Sequence, residues 1–395
     1  MDDSLTLHKN LKGKIEITPK FDVQTKEDLS LVYTPGVAQV CKEIAENPSE
    51  VYNLTIKNKA IAIISDGSAV LGLGNIGPYA AIPVMEGKAM LFKEFAGIDA
   101  FPITLKTQNV YEIVNIIKNI APVFAGINLE DIAAPRCFEI EDDLQNIGIP
   151  VFHDDQHGTA IVLLAAMMNA SKLAGKKMTD LKVVINGAGA AGTAIANLLL
   201  CVGFDKRMCE PVKEMIVCDS RGIIHRKRPD LANNPFKMRL ANISNKNNLQ
   251  GKLSDAVGGA DVFIGVSTAN ILRGEDVQKM AEKPIVLAMA NPVPEIDPAQ
   301  AKASGAFIVG TGRSDLPNQV NNLLAFPGVF LGAINARAKS ISNGMMIGAA
   351  MALAGCVENP TVDMILPSPL DKSVAPKIAE KVAEIYKEDE KALGL

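Results

Sequence analysis

Two pairs of acids in the first half of the chain could do chemistry together: Glu130 and Asp131 in INLEDI, and Asp154 and Asp155 in VFHDDQHG. Each pair follows a short apolar run that reads as a β-strand, and in an open parallel sheet ligands collect beyond the carboxyl ends of the strands. Three or four carboxylates without a cysteine or histidine set suit a hard, oxygen-liking cation, Mg²⁺ or Mn²⁺. Helix capping would use the same residue types, because Asp155 precedes a helical run that begins near Thr159. Singly, each pair is more often a cap; together they favour the metal. Glu139, Glu141, Asp142 and Asp143 in FEIEDDL look like an exposed helix face. His153 and His157 flank the aspartates as hydrogen-bonding neighbours rather than ligands.

A second candidate chemistry is dinucleotide binding. The spacing G-x-G-x-x-G occurs twice, as GLGNIG at 72–77 and GAGAAG at 187–192. Only the second directly follows a strand-like run, 182–186, and opens a helical one. Gly187, Ala188, Gly189, Ala190, Ala191 and Gly192 can therefore turn amides and a helix N-terminus toward a pyrophosphate. Asp219 ends the next strand, MIVCDS, where an acid can grip a ribose 2′-hydroxyl. It lies 27 residues after Gly192, against about 20 in the usual fingerprint, and the insertion FDKRMCEPVK accounts for the excess. Asp219 favours NAD, whereas Arg221 beside it keeps NADP open. The basic cluster RGIIHRKR otherwise reads as a solvated loop. Asn291, in AMANPVPE, follows a later strand at the ligand-facing edge, where an Asn-Pro turn is an equal alternative. GLGNIG has Pro78 after it and the apolar stretch SAVLGL before it, which suits a substrate or interdomain loop.

The elements that must position these groups form two sets. KAIAIISDG, AGIDAFPITL, APVFAGINL and IPVFHDD alternate with helical stretches, the pattern of an α/β domain with a parallel sheet. LKVVING, MIVCDS, DVFIGVS, PIVLAMANP and AFIVGTG predict a second, Rossmann-type sheet. The expected fold is α/β with two domains, an N-terminal catalytic and substrate domain over 1–160 and an NAD(P)-binding domain over 161–395. The helical run 158–175 is the expected hinge. A C-terminal amphipathic helix carries Val374, Ile378, Val382 and Ile385 on one face.

Composition excludes other classes. With 395 residues, 48% hydrophobic and 21% charged, the chain is neither disordered nor membrane-spanning, since no apolar run reaches the roughly 20 residues of a bilayer span. A net charge of −4 argues against a nucleic-acid surface. The start, Met-Asp-Asp-Ser, lacks a signal-peptide pattern, and a cytoplasmic protein is expected. Six cysteines without a C-x-x-C pair are expected to be reduced and structural.

Several long blocks occur in one order: YTPGVA, SDGSAVLGLGNIGP, EGKAMLFKEFAGIDAFP, NLEDIAAPRCF, VFHDDQHGTA, GAGAAG, ANPVPE and TGRSDLPNQVNNLLAFPGVF. Across almost its whole length the chain resembles the malic enzymes, most closely the short bacterial type. The resemblance implies oxidative decarboxylation of malate to pyruvate and CO₂ with NAD or NADP, decarboxylation of oxaloacetate as well, and assembly as a homodimer. It also implies roles: Tyr33 as general acid, Lys88 as general base in contact with substrate, and Asp154 as its support. Glu130, Asp131 and Asp155 would bind the metal, and Asn291, Asn321 and Asn322 would contact substrate and nicotinamide ribose. By residue type alone, Tyr33 would be a surface-turn tyrosine and Lys88 a solvated helix lysine. One departure stands out: larger malic enzymes carry an arginine two residues after the DG of the SDG turn, where this chain has Ala69.

The implied reaction sets physical demands. Lysine titrates near 10.4 and a useful base near 7 to 8, so the site must supply about 3 pH units, roughly 4 kcal/mol. A dication and the nicotinamide cation act in that direction and carboxylates oppose it, so Lys88 should be a poor base without metal. Two other functions fit the same two-domain plan: a metal-independent dehydrogenase of amino or hydroxy acids, and a dinucleotide sensor without chemistry.

Overall fold

Strands covered on both faces read as continuous apolar runs rather than alternating ones, and the strands of this chain follow that rule. A computed structural model describes residues 2–70, 72–203 and 209–393. Leu71 of SAVLGL and residues 204–208 of the insertion FDKRMCEPVK lie outside the described residues. In the first half, β1 (Ala60–Ser65), β2 (Asp99–Thr104), β3 (Gly126–Leu129) and β4 (Val151–His153) form one parallel sheet in the order β2-β1-β3-β4.

The second sheet contains β5 (Lys182–Asn186), β6 (Glu214–Asp219), β7 (Gly222–Ile223), β8 (Val262–Gly265), β9 (Ile285–Ala288) and β10 (Ile308–Thr311). Its order is β10-β9-β8-β5-β6-β7, parallel except for β7. The two-residue β7 is too short to carry a periodic signal in the sequence. From β5 the chain moves outward to β6 and then returns on the other side of β5 as β8. Such a reversal opens a crevice at the carboxyl ends of the central strands. The GAGAAG loop leaves β5 there and enters the helix Ala190–Leu199.

The helix Thr159–Ala174 is apolar around its circumference and buried along most of its length, as expected of a helix surrounded by protein. Its side chains share one core with Ile61 and Ile63 of β1 and with Val183 and Ile185 of β5. The segment read from sequence as a hinge is thus a packed beam between the sheets. The C-terminal helix Val374–Leu393 buries Val374, Ile378, Val382 and Ile385. It lies close enough to the helix Phe326–Asn335 that a Cβ at Gly328 or Gly332 would meet Ile378 or Val382 at 2.7 Å. Cys201 and Cys209 are joined in a disulfide, which corrects the expectation of six reduced thiols. Their separation of 8 residues is not a motif spacing, but folding brings the Cα atoms to 5.8 Å, within bridging range. Among the described residues no helix is long and apolar enough to cross a membrane.

The glycine loop has two positions with no room for a side chain: a Cβ at Gly187 would stand 2.4 Å from the carbonyl oxygen of Val266, and Gly192 is tighter still. A Cβ at Gly192 would stand 1.7 Å from the carbonyl oxygen of Gly187. Gly192→Ala should therefore cost about 1–3 kcal/mol in overpacking strain and weaken NAD binding. Calorimetric melting and NAD titration check this, and an unchanged melting temperature would refute the packing account.

Candidate active site

The helix Gly77–Ala96 turns Ala81, Met85, Ala89 and Phe92 into the core, and Lys88 lies on that same buried stripe. A lysine at helical spacing among core residues was the available signal that it is not solvated. Its Nζ meets the carboxylate of Asp154 and stands 2.8 Å from Oε1 of Glu130, with a side chain only 8% exposed. The ring centroid of Phe326 lies 4.2 Å from Nζ, a cation–π distance. Asn322 donates to Oδ2 of Asp154 at 2.5 Å, and Asn128 donates to Oε2 of Glu130 at 2.9 Å.

Around this pair the strand ends gather the other acids. Glu130 and Asp131 follow β3, and Asp154 and Asp155 begin the single π-helical turn Asp154–Gly158 after β4, a geometry frequent at functional sites. Ligand oxygens of Glu130, Asp131 and Asp155 lie within 4.8 Å of one another. Asp131 has left-handed backbone at φ +54°, and Asp155 accepts its N–H at 2.8 Å. Neither pair caps a helix: Pro135 and Gly158 occupy the cap positions, without side-chain hydrogen bonds. Oδ2 of Asp131 is buried without a hydrogen-bond partner among the described residues. A buried, unpaired carboxylate oxygen beside two further carboxylates fits a hard cation.

The electrostatics point the same way. Burial, opposed by Lys88, raises Glu130 to about 7, while burial with crowding by Asp155 and Glu130 raises Asp131 to about 9. Asp154 and Asp155 rise to about 6, mainly through burial. For Lys88, burial acts against the charge, but Asp154, Glu130 and Asp155 outweigh it and hold the ammonium above the ordinary lysine range.

Glu141 corrects the expectation of an exposed acidic face. Glu139, Asp142 and Asp143 are exposed, whereas Glu141 is buried. It accepts the backbone N–H of His153 at 3.0 Å and the Gln156 amide at 3.1 Å, and it pairs with Nε2 of His157 at 2.9 Å. The helix Arg136–Leu144 thereby anchors the turn that carries Asp154 and Asp155. The His153 ring makes no hydrogen bond among the described residues, contrary to its expected role, and burial lowers its pKa to about 4.

At the dinucleotide end, Gly187, Ala188 and Gly189 line a cleft of about 610 Å³ together with Asp219, Lys237, Lys252 and Arg273. Asp219 is not a free acceptor. Arg228 donates to both its oxygens at 2.8 and 3.0 Å, and Lys237 donates at 2.7 Å. Burial acts upward on the carboxyl, yet these hydrogen bonds dominate and hold it at about 2. Arg228 is buried, so the basic segment is not simply a solvated loop.

A second cleft joins the two ends. Its wall includes Ala69, Gly72, Asp131, Asp155, Ala191, Asn291, Asn321 and Asn322, and no lysine or arginine lines it among the described residues. Gly72, from GLGNIG, comes so close to the second domain that a Cβ there would lie 2.7 Å from the carbonyl oxygen of Asn291. This is the interdomain approach expected of that loop. Asn321 is occupied in capping the N–H of Leu323 at 2.9 Å, whereas Asn322 reaches the pair formed by Lys88 and Asp154. Tyr33 is not brought in. It ends the helix Lys26–Val32 with 67% exposure, among hydrophobic side chains that face outward.

A two-domain α/β protein with a glycine-loop crevice, and with a buried lysine held in an acid cluster, is built as a dinucleotide-dependent enzyme. The models for "Malic enzyme, N-terminal domain" and "Malic enzyme, NAD binding domain" match residues 12–145 and 156–386. The chain is 54% identical to an NAD-dependent malic enzyme of Geobacillus stearothermophilus, covering 97% of this chain and 78% of the relative. It is 53% identical to a bifunctional malic/malolactic enzyme of Bacillus subtilis, covering 97% and 92%. The structure of an NAD-dependent malic enzyme from Thermotoga maritima superposes with a TM-score of 0.91 at 49% identity, covering 96% and 98% of the two chains. The chain belongs to the malic enzyme family.

Acids with raised pKa values bind more protons folded than unfolded, so they stabilise the fold below about pH 4 and that contribution is lost as pH rises through 7 and 9. Without metal, the stability contributed by these acids should therefore decline from about pH 4 to 9, and saturating Mn²⁺ should flatten the decline. Urea unfolding across that range tests it, and an identical pH profile with and without Mn²⁺ would refute it. Glu141→Ala leaves two buried donors and the His157 ring unpaired and should cost about 3–5 kcal/mol by the same measurement.

Proposed function

We propose that this chain catalyses the oxidative decarboxylation of (S)-malate to pyruvate and CO₂, dependent on NAD(P) and a divalent metal, and that it also decarboxylates oxaloacetate. One observation carries this reading: Lys88 is buried between Asp154 and Glu130, beside three mutually close carboxylates, two of which, Asp131 and Asp155, line a cleft whose wall also includes Ala191 of the glycine loop. We assign residues 1–160 to the substrate domain and 161–395 to the dinucleotide domain, in line with the two family matches.

Glu130, Asp131 and Asp155 would hold Mg²⁺ or Mn²⁺, and the GAGAAG loop would hold the dinucleotide. When bound, the dication supplies Lewis acidity and the dinucleotide supplies a hydride acceptor. Lys88 takes the C2 hydroxyl proton once the charge of its carboxylate neighbours is offset. Asp154, itself held by Asn322, fixes the Nζ position, and Phe326 closes the other side against water. With Ala69 in the cleft wall, the substrate carboxylates meet Lys88 and the amides of Asn291 and Asn322 instead of an arginine.

The proton for C3 requires Tyr33, and this reading assigns it from a second copy of the chain. The helices Lys26–Val32 and Val37–Glu46 contain no buried residue. Leu5, Ile17 and Leu31 nearby are 56%, 84% and 68% exposed. An apolar arm of this kind needs a partner surface, and in a symmetric dimer each arm can complete the other copy's site.

Malate with each dinucleotide and Mn²⁺ should give reduced nicotinamide and CO₂, and EDTA should stop turnover while NAD still binds. Turnover resistant to EDTA would support a metal-independent dehydrogenase instead. Lys88→Ala and Tyr33→Phe should each be inactive alone. Refolded together in equal amounts, they should recover about a quarter of wild-type turnover, because half the dimers then hold one intact site. No recovery, with mixed dimers verified by mass, would place both residues in one chain.

A further inference from the structure

We propose that Glu295 is a positioning residue for the reaction: its buried carboxylate locks the chain beyond β8 to the chain beyond β9 and, through Ser267, to the end of β5, so that the glycine loop and Asn291 keep a fixed relation. The proposal rests on the reading that the cleft at 187–189 takes a dinucleotide whose reactive end meets malate beside Asn291.

The two clefts meet at one residue. Among the described residues only Ser267 stands in both walls, the one that holds Gly187, Ala188 and Gly189 and the one that holds Asp131, Asp155 and Asn291. A ligand extending from the glycine loop to the acids must pass it. Ser267 lies two positions beyond the end of β8, where strand pairing no longer fixes the chain. Glu295 does so instead. It is fully buried; Oε1 accepts the N–H of Ser267 at 2.9 Å and Oε2 accepts that of Ala290 at 3.0 Å. Its own carbonyl accepts the N–H of Leu272 at 3.0 Å, which ties down the same loop further along. The hydroxyl of Ser267 in turn accepts the Asn186 amide at 2.6 Å. Asn186 ends β5 directly before Gly187, and Ala290 directly precedes Asn291.

The packing leaves this carboxylate a fitted seat. A Cβ at Gly265, the last residue of β8, would lie 2.3 Å from Cδ of Glu295, so the carboxyl rests directly on the strand end. Asn291 is confined in turn, since a Cβ at Gly312 would stand 2.7 Å from its Nδ2. Burial raises the pKa of Glu295, and the N–H groups of Ala290 and Ser267 oppose that rise. Such donors are what make a buried carboxylate tolerable. An amide of the same shape cannot replace it, because its NH₂ group would face one of the two N–H donors. Glu295 stands in neither cleft wall, so it acts through Ser267 and Ala290 rather than on a ligand.

The test compares full-length wild type with Glu295→Gln by calorimetric titration with NAD and with Mn²⁺, by steady-state malate oxidation and by melting. Well below its melting temperature, Glu295→Gln should bind NAD at least about tenfold more weakly, the worth of one charge-assisted hydrogen bond. Its kcat should fall as well, while its Mn²⁺ affinity stays that of wild type. Ser267→Ala should weaken NAD binding by less, and in the double variant the two losses should not add, because both break one chain of contacts. Should the glutamine form fail to fold, Glu295→Asp, which keeps the charge and shortens the reach by a methylene, is measured in its place. A lowered melting temperature with NAD affinity and kcat unchanged would make Glu295 merely structural and overturn the proposal. Strictly additive losses, or an equal loss of Mn²⁺ affinity, would overturn it too. Absence of NAD binding or of malate oxidation in wild type would instead overturn the reading on which it rests.

Discussion

A buried ammonium facing four carboxylates is the constraint around which the rest of the molecule is arranged. Lys88, Glu130, Asp131 and Asp154 are all nearly inaccessible to water, and Asp155 shares their space. In such a medium each unpaired charge is costly. A single lysine cannot neutralise four acids, and the raised acids and the raised lysine are two consequences of that imbalance. A dication among these carboxylates would relieve it, and under the function proposed above one charge balance would link metal occupancy to the strength of Lys88 as a base.

The architecture holds these groups in place despite their repulsion. Strand ends fix the backbone of Glu130, Asp131, Asp154 and Asp155, and Glu141 ties the second pair to the helix Arg136–Leu144 from behind. The beam Thr159–Ala174 continues from that turn into the core shared by both sheets. The site is therefore seated on packed elements, which preserves short distances that mobile loops would lose. Tyr33 is the exception. It lies between two helices, Lys26–Val32 and Val37–Glu46, that contain no buried residue.

The second crevice solves a similar problem at lower charge. Asp219 is over-satisfied by Arg228 and Lys237 rather than crowded by other acids, and its pKa moves in the opposite direction from those of Glu130 and Asp131. Carboxylates in one chain thus serve two purposes, set by whether cations or anions surround them.

The sequence alone was enough for the strands that are long and apolar, the glycine loop, the acid pairs and the family, because these depend on local composition, spacing and ordered blocks. GAGAAG could be told from GLGNIG by the strand and helix on either side of it. Tertiary structure decided what local pattern cannot encode. Glu141 sits in the same acidic run as Asp142 and Asp143, and only the packing of its helix against the turn after β4 makes it a buried acceptor. Lys88 has the spacing of a core residue, but its partners come 42 and 66 positions later in the chain. Asp219 was expected from sequence to grip a ribose, whereas its clamp by Lys237 arises from a helix that follows a separate loop. Cys201 and Cys209 are joined although 8 positions separate them in the chain, and Asn322 is distinguished from Asn321 by a contact with Asp154 across 168 residues. Spacing within an element is written in the sequence. Pairing between elements is fixed only when the core brings them together and removes the water between them.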